Sequence, residues 1–160
     1  MSALETVPFN VVLIEPEIPQ NTGNIARTCA CTGATLHLVE PMGFRLSSKQ
    51  LSRSGCDYWE DVEIVRWACA DAFFEAHGGE EMHLFTGKAQ KMLGETAFNS
   101  GCFLLFGRES RGIDDVYLQR YADQCVRIPM RENERSLNLS NAVAIASYDF
   151  LRQQNFAGLV

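Results

Sequence analysis

The sequence predicts an α/β fold, a mostly parallel sheet flanked by helices. Short apolar runs alternate along the chain with stretches of helical spacing, the pattern of repeated strand and helix units. The first run, Phe9 to Ile14, is rich in β-branched residues and nearly continuously apolar, as expected of a strand covered on both faces. The chain has 160 residues, 46% of them hydrophobic, so folding can bury roughly 70% of the unfolded surface within a single domain over residues 1 to 160. At that size neither a disulfide framework nor a structural metal is needed.

The elements follow in order. Phe9 to Ile14 is the first strand, stopped by Glu15-Pro16. Asn21 to Thr32 is a helix: Ile25, Ala26, Cys29 and Ala30 recur at helical spacing, Gly33 supplies the stop, and Asn21, Thr22 and Asn24 are capping types. Thr35 to Val39 is the second strand, Ser47 to Arg53 a short helix and Val62 to Val65 the third strand. Cys69 to Ala76 is an amphipathic helix ended by Gly78-Gly79. His83 to Thr86 and Cys102 to Phe106 are strands, Asp114 to Tyr121 a helix, and Cys125 to Ile128 a further strand. The last element is the longest: from Asn138 to about Gln154, Leu139, Ala142, Val143, Ala146 and Phe150 fall at three- and four-residue steps. Trp59 and Trp67 are assigned to packing.

Composition narrows the function. No basic region precedes the first apolar run, and that run is too short for a signal core or a membrane span, so a soluble, cytoplasmic protein with no membrane partner is expected. Six cysteines at spacings that match no ligand pattern are read as reduced, buried thiols. His37, His77 and His83 fall in different elements and Cys29-x-Cys31 has no second pair, so no metal is predicted. The 14 basic and 20 acidic side chains give a net charge of −6, which taken whole argues against a nucleic-acid partner. The excess is local, however: residues 54 to 107 carry three basic and nine acidic side chains, and elsewhere the signs balance. An acidic face in that segment leaves room for a basic patch elsewhere.

Ligands of open α/β sheets gather beyond the carboxyl ends of the strands, so the loops after Ile14, Phe106 and Ile128 hold the candidate site. The first, Glu15 to Asn24, contains neither G-x-G-x-x-G nor a Gly-Lys-Ser/Thr triplet, which excludes the dinucleotide and P-loop fingerprints. It leads into a helix carrying Arg27, whose guanidinium suits an anion or a hydroxyl; by itself the segment serves equally as a polar cap. The second, Gly107-Arg108-Glu109-Ser110-Arg111-Gly112, breaks a buried strand into glycine and charge. Gly107 and Gly112 permit close approach of a ligand, and Glu109 between two arginines is set to be ionised and hydrogen-bonded, although an ordinary strand-to-helix turn shares this pattern. The third, Ile128 to Asn141, places Ser136, Asn138, Ser140 and Asn141 beside a helix start with unpaired amides, where capping is the competing reading.

Asn21-Thr22-Gly23-Asn24-Ile25-Ala26-Arg27, then Phe106 to Ile113, then Ile128-Pro129-Met130 with Arg135 to Val143, together resemble the three motifs of the SPOUT RNA methyltransferases. Glu15-Pro16-Glu17-Ile18-Pro19 and Glu40-Pro41-Met42-Gly43-Phe44 resemble the YibK/TrmL group, the tRNA wobble-ribose 2′-O-methyltransferases. The resemblance covers nearly the whole chain. It implies a SPOUT α/β knot with a deep trefoil knot near the C-terminus, an exception to the usual absence of knots. It implies S-adenosylmethionine as cofactor, S-adenosylhomocysteine as product and no metal. The matching cofactor positions are Phe85, Thr86, Gly107, Glu109, Gly112, Ile128, Met130, Ser136 and Leu137. It implies a homodimer in which Arg27 works from near the partner's cofactor pocket, with a tRNA anticodon loop as substrate. Arg108 departs from the family, where proline is frequent; it either adds a phosphate contact or leaves the loop less stiff.

A ribose 2′-hydroxyl is a poor nucleophile and a sulfonium methyl a good electrophile, so the protein must align the two and assist departure of the proton. The resemblance gives the hydroxyl to Arg27, and an arginine's high reference pKa favours orientation over deprotonation. Asn141 and Tyr148 are candidates to position the nucleotide and Glu109 to fix the second loop; with Arg27 they form the candidate catalytic set. Eight residues precede the first strand, so the dimer itself is expected to read the RNA as an exposed loop. Arg45, Lys49, Arg53, Lys88, Lys91, Arg111 and Arg131 are the cations available. The alternatives are a SPOUT enzyme for another tRNA or rRNA nucleotide, a non-catalytic RNA-binding module, and an unrelated doubly wound nucleotide-binding enzyme.

Overall fold

The structure, a computed structural model, describes residues 5–45 and 59–160. The helix expected at Ser47 to Arg53, with Lys49 and Arg53, lies outside the described residues. In chain order the elements are β1 (Asn10–Ile14), α1 (Pro19–Thr32), β2 (Thr35–Val39), β3 (Ile64–Trp67), α2 (Ala70–His77), β4 (Met82–Phe85), β5 (Phe103–Phe106), α3 (Asp115–Arg120), β6 (Cys125–Val126) and α4 (Leu139–Gln153). Among the described residues the strands form one sheet in the order β3-β2-β1-β5-β4-β6, and every pairing in it is parallel. The chain builds outward from β1 to β3 and then crosses to the other side. The strand order therefore reverses between β1 and β5, which opens a crevice at the carboxyl ends.

Period-two alternation divides the sheet's side chains between two helical layers. Val11, Leu13, Leu36, Leu38, Leu104 and Phe106 pack with Ile25, Ala26 and Cys29 of α1 and Val143, Ala146 and Phe150 of α4. Val12, Ile14, Met82, Leu84, Phe103 and Leu105 pack with Phe73 and Phe74 of α2 and Tyr117 and Leu118 of α3. No helix among the described residues is long and apolar enough to cross a membrane. The described cysteines are unpaired; Cys29, Cys102 and Cys125 are buried as expected, whereas Cys31 and Cys69 are exposed.

Three elements have boundaries two residues from expectation. The third strand begins at Ile64, because Trp59–Asp61 forms a 3-10 turn that Val62 closes with its amide on Trp59 O. It runs on to Trp67, whose carbonyl accepts from Glu40 N at 2.9 Å. The sixth strand stops after Val126, since Arg127 leaves β4 to exchange backbone bonds with Lys91 and Leu93 at 2.8 and 2.9 Å, and Pro129 has no amide to offer. Helix α1 begins at Pro19, two residues early, with proline in the first turn where its missing N–H costs nothing.

A buried histidine makes stability pH-dependent. His37 on β2 is only 4% exposed, and its Nδ1 accepts from Trp67 Nε1 at 3.0 Å, so its Nε2–H donates to Asn10 Oδ1 at 3.0 Å. Burial, followed by the neighbouring His77, pushes its pKa down from 6.5 to about 4. Between those values the unfolded chain binds the proton and the folded chain does not, so stability is fully present above pH 6.5 and lost as pH falls toward 4. The loss should total about 3 kcal/mol. Urea unfolding at pH 7 and pH 4 measures it, and a His37→Gln variant should show a correspondingly flatter dependence.

Candidate functional site

The carboxyl ends of β4, β5 and β6 open onto a cavity of about 750 Å³. Phe85 and Phe106 stack with ring centroids 4.8 Å apart, and Ile128, Met130, Leu137 and Leu139 add an aliphatic wall. Thr86, Gly107, Gly112 and Ser136 contribute hydroxyl and backbone groups. All nine residues assigned to the cofactor line this cavity. Because sheet pairing ends at Val126, the backbone from Ile128 to Met130 passes the cavity outside the ladder.

The second loop forms a closed turn. Arg108 N–H donates to Gly112 O at 3.2 Å and Gly112 N–H returns to Arg108 O at 2.8 Å. Gly112 lies at φ 71°, in the left-handed region that favours glycine. A Cβ on Gly107 would come within 2.0 Å of Gly112 C and 2.2 Å of Ile113 N, so this crossing of backbones admits glycine alone.

Glu109 is held differently from the sequence expectation. Its carboxylate faces the start of α1 rather than the flanking arginines, accepting from Glu17 N at 2.7 Å, Ile18 N at 3.0 Å and Asn21 Nδ2 at 3.3 Å. The helix has no side-chain cap of its own, and Glu109, 92 residues from Glu17, takes the two amides that lead into it, near the positive end of the helix dipole. Asn21 is therefore no local cap. Its Oδ1 accepts from Asn138 Nδ2 at 3.1 Å, while Asn138 Oδ1 caps α4 by accepting from Ser140 N at 2.9 Å and Asn141 N at 3.4 Å. One hydrogen-bonded line, Glu109 to Asn21 to Asn138, thus joins all three loops.

Two further contacts close the first loop on the second. Glu17 accepts from Ser110 N at 3.1 Å and Ser110 Oγ at 2.6 Å, bonds that hold its carboxyl below the usual range. The Arg108 guanidinium pairs with Glu15 and Asp114, with its side chain 19% exposed. Through these two pairs it braces the loop. The cations that rim the cavity are Lys88, which pairs with Asp115 at 2.7 Å, Arg111, which is 71% exposed, and Arg135.

Arg27, Asn141 and Tyr148 do not line the cavity of their own chain. Since α1 begins at Pro19, Arg27 sits about two turns into the helix, on an exposed stripe with Gln20 and Asn24. Asn141, Ile145 and Tyr148 form an exposed stripe on α4, which packs beside α1.

The loop-to-loop contacts of Glu15, Glu17, Asn21, Arg108 and Ser110 escape sequence reasoning. Their only trace is the alternation Glu-Pro-Glu in one loop and Arg-Glu-Ser in the other, with nothing to say that the two face each other. At the opposite end of the sheet, Glu81, His83 and Cys102 bring three donor atoms within 4.8 Å of one another, from two strands that are distant in sequence. Their hydrogen bonds already engage the carboxylate: His83 Nε2 donates to Glu81 at 2.7 Å, and Asn99 donates twice, at 3.1 and 2.9 Å.

Residues 8–148 match the model of the SpoU rRNA Methylase family. The chain is similar to the tRNA (cytidine(34)-2'-O)-methyltransferase of Saccharophagus degradans, 46% identical over 151 residues that cover 94% of this chain and 98% of that protein. It is similar to the enzyme of the same name from Burkholderia pseudomallei, 45% identical over 153 residues, with 94% and 98% covered. A solved structure described as "Structural insights into the 2-OH methylation of C/U34 on tRNA" superposes with a TM-score of 0.87 at 43% identity, covering 93% of this chain and 97% of that one. The strand order, the cavity at the carboxyl ends and a family match over nearly the whole chain agree, and the chain belongs to the SpoU methylase family.

Proposed function

We propose that this protein is an S-adenosylmethionine-dependent tRNA methyltransferase that modifies the ribose 2′-hydroxyl of the wobble nucleotide, cytidine or uridine. The observation that carries the reading is the convergence of all nine expected cofactor positions on one cavity at the strand ends. The relatives named for cytidine(34) supply the substrate. The protein acts as one domain over residues 1 to 160, in the cytoplasm, as a homodimer, with its C-terminal part tied in the deep trefoil knot of its family.

The residues present suit the cofactor. A cavity of about 750 Å³ is of the size that encloses a nucleoside joined to an amino acid. The stacked phenylalanines and the Ile128, Leu137 and Leu139 side chains favour an adenine, and Gly107 lets the ligand approach main-chain groups without an intervening Cβ. When bound, S-adenosylmethionine would supply an electrophilic methyl group: the O–CH3 bond forms as the S–CH3 bond breaks, the hydroxyl proton passes to water at the open cavity mouth, and S-adenosylhomocysteine is the product. Glu109 contributes by holding the second loop to α1, and is a positioning group.

Transfer requires the ribose to be placed at the cavity mouth. The exposed stripes of α1 and α4, with Ile145 and Tyr148 among their residues, form the face for a second copy, which brings Arg27 of one chain toward the cavity of the other. There Arg27 donates to the ribose oxygen and orients it in line with the methyl group. Asn141 and Tyr148 place the nucleotide, and Lys88, Arg111 and Arg135 at the rim meet backbone phosphates, so binding weakens with salt.

The test is tritiated methyl transfer from S-adenosylmethionine to unmodified tRNA and to tRNA from a strain lacking this protein, with nuclease mapping of the label. Label on the 2′-oxygen of nucleotide 34 is the expected result. Label at another nucleotide would keep the reaction and discard the substrate, and cofactor binding without any label on tRNA would discard both.

A further inference from the structure

The end of β1 is strained at one residue. Glu15 lies at φ 54°, a left-handed conformation that costs a residue with a side chain, although its amide still pairs with Val39 O at 2.9 Å. Such a conformation persists only where the surroundings over-determine it. Part of that restraint is one side chain from the other loop: the Arg108 guanidinium pairs with Glu15 and, through both of its terminal nitrogens, with Asp114 at 2.8 and 3.4 Å. Arg108 and Glu15 are 19% and 18% exposed, so water screens their pair only in part. Asp114 sits at the start of α3, and Arg108 itself lines the cavity. One guanidinium thus joins the first loop, the second loop and the helix that follows the second loop.

We propose that Arg108 is a positioning residue for methyl transfer: by tying Glu15 to the second loop it sets the angle of α1, and with it the place of Arg27 at the cavity of the second copy. The inference rests on the proposed reaction and goes beyond it. A lever explains why the angle matters. Arg27 lies eight residues beyond the start of α1 at Pro19, about 12 Å along the axis, so a tilt of about 5° displaces it by about 1 Å. A misplacement of that size can cost about 100-fold in rate. The backbone pair between Arg108 and Gly112 keeps the second loop closed without the Arg108 side chain, so the cavity itself should survive the loss. Lysine is only a partial substitute, because a single ammonium can meet one carboxylate but cannot span two as the planar fork does.

The experiment compares Arg108→Met, Arg108→Lys, Glu15→Gln and the Arg108→Met/Glu15→Gln double variant. S-adenosylmethionine affinity, kcat on tRNA and amide hydrogen exchange over residues 15 to 22 are measured for each. Arg108→Met should lower kcat by about 10- to 100-fold and leave the cofactor Kd within about threefold of wild type. Glu15→Gln should do the same, the double variant should be no worse than either single one, and Arg108→Lys should recover part of the rate. In the first two variants the amides of Glu17, Ile18 and Asn21 should exchange faster. Unchanged exchange in Arg108→Met would overturn the tie whatever the activity. Faster exchange with unchanged kcat, or a loss of cofactor affinity as large as the loss of rate, would overturn the positioning role. A wild-type protein that labels no tRNA would overturn the proposed reaction instead, and the exchange measurement would still decide the tie.

Discussion

Replacing Arg27 with alanine should lower methyl transfer by about 10²- to 10⁴-fold while S-adenosylmethionine binds with nearly wild-type affinity. The separation of the two effects follows from geometry, since Arg27 lies on the exposed stripe of α1 and does not line the cavity of its own chain. Calorimetry with the cofactor and single-turnover methylation of tRNA measure them independently. A variant that bound cofactor normally and kept most of its rate would remove Arg27 from the mechanism. The same geometry makes a second outcome expected in mixed dimers. When Arg27→Ala subunits are mixed with subunits whose cavity is filled by Ile128→Trp, each mixed dimer has one intact site, so random assortment restores about a quarter of wild-type activity. No recovery from such a mixture, with mixed dimers demonstrably present, would place Arg27 in the site of its own chain.

Gly107→Ala should abolish cofactor binding within the measurable range and lower stability by about 3 kcal/mol. The methyl group would come within 2.0 Å of Gly112 C, 2.2 Å of Ile113 N and 2.4 Å of Gly112 O, all of them backbone atoms that no side-chain rotation can move. To make room, the paired bonds between Arg108 and Gly112 must open, and the wall of the cavity opens with them. Thermal unfolding and cofactor titration give the two readouts. Gly94 offers the control, for it does not line the cavity, an added Cβ there meets nothing within 4 Å and its φ lies outside the left-handed region, so Gly94→Ala should change neither. A Gly107→Ala protein that bound cofactor normally would show that the second loop is softer than its crossing of backbones implies.

The loops after Ile14, Phe106 and Ile128 were legible because strands declare themselves by apolar runs of the right length, whereas the nine cofactor positions followed from the family resemblance. Arg27, Asn141 and Tyr148 were legible only as residue types at motif positions. Within one chain they stand on exposed helix faces, outside the cavity. Glu109 shows the limit most clearly. Its neighbours in sequence are two arginines, and local charge pairing is the natural expectation, yet its bonds go to Glu17, Ile18 and Asn21. The amides of Asn21 and Thr22 are met locally by Ile18 O, but those of Glu17 and Ile18 just before α1 find their acceptor only in Glu109, far along the chain.

By itself the sequence determined the alternation of strands and helices, the two-layered burial of the sheet and the span of α4, where local periodicity and the Asn138 cap agree. Those features depend on residues within a few positions of each other, and backbone sterics and apolar spacing read them directly. The tertiary structure decided where β6 ends, which acceptor takes the amides leading into α1, and that Arg108 binds Glu15 instead of solvent. Each of these pairs groups far apart along the chain. Their partners are chosen when the parallel strands align and carry the loops at their ends together, an event that no local pattern encodes.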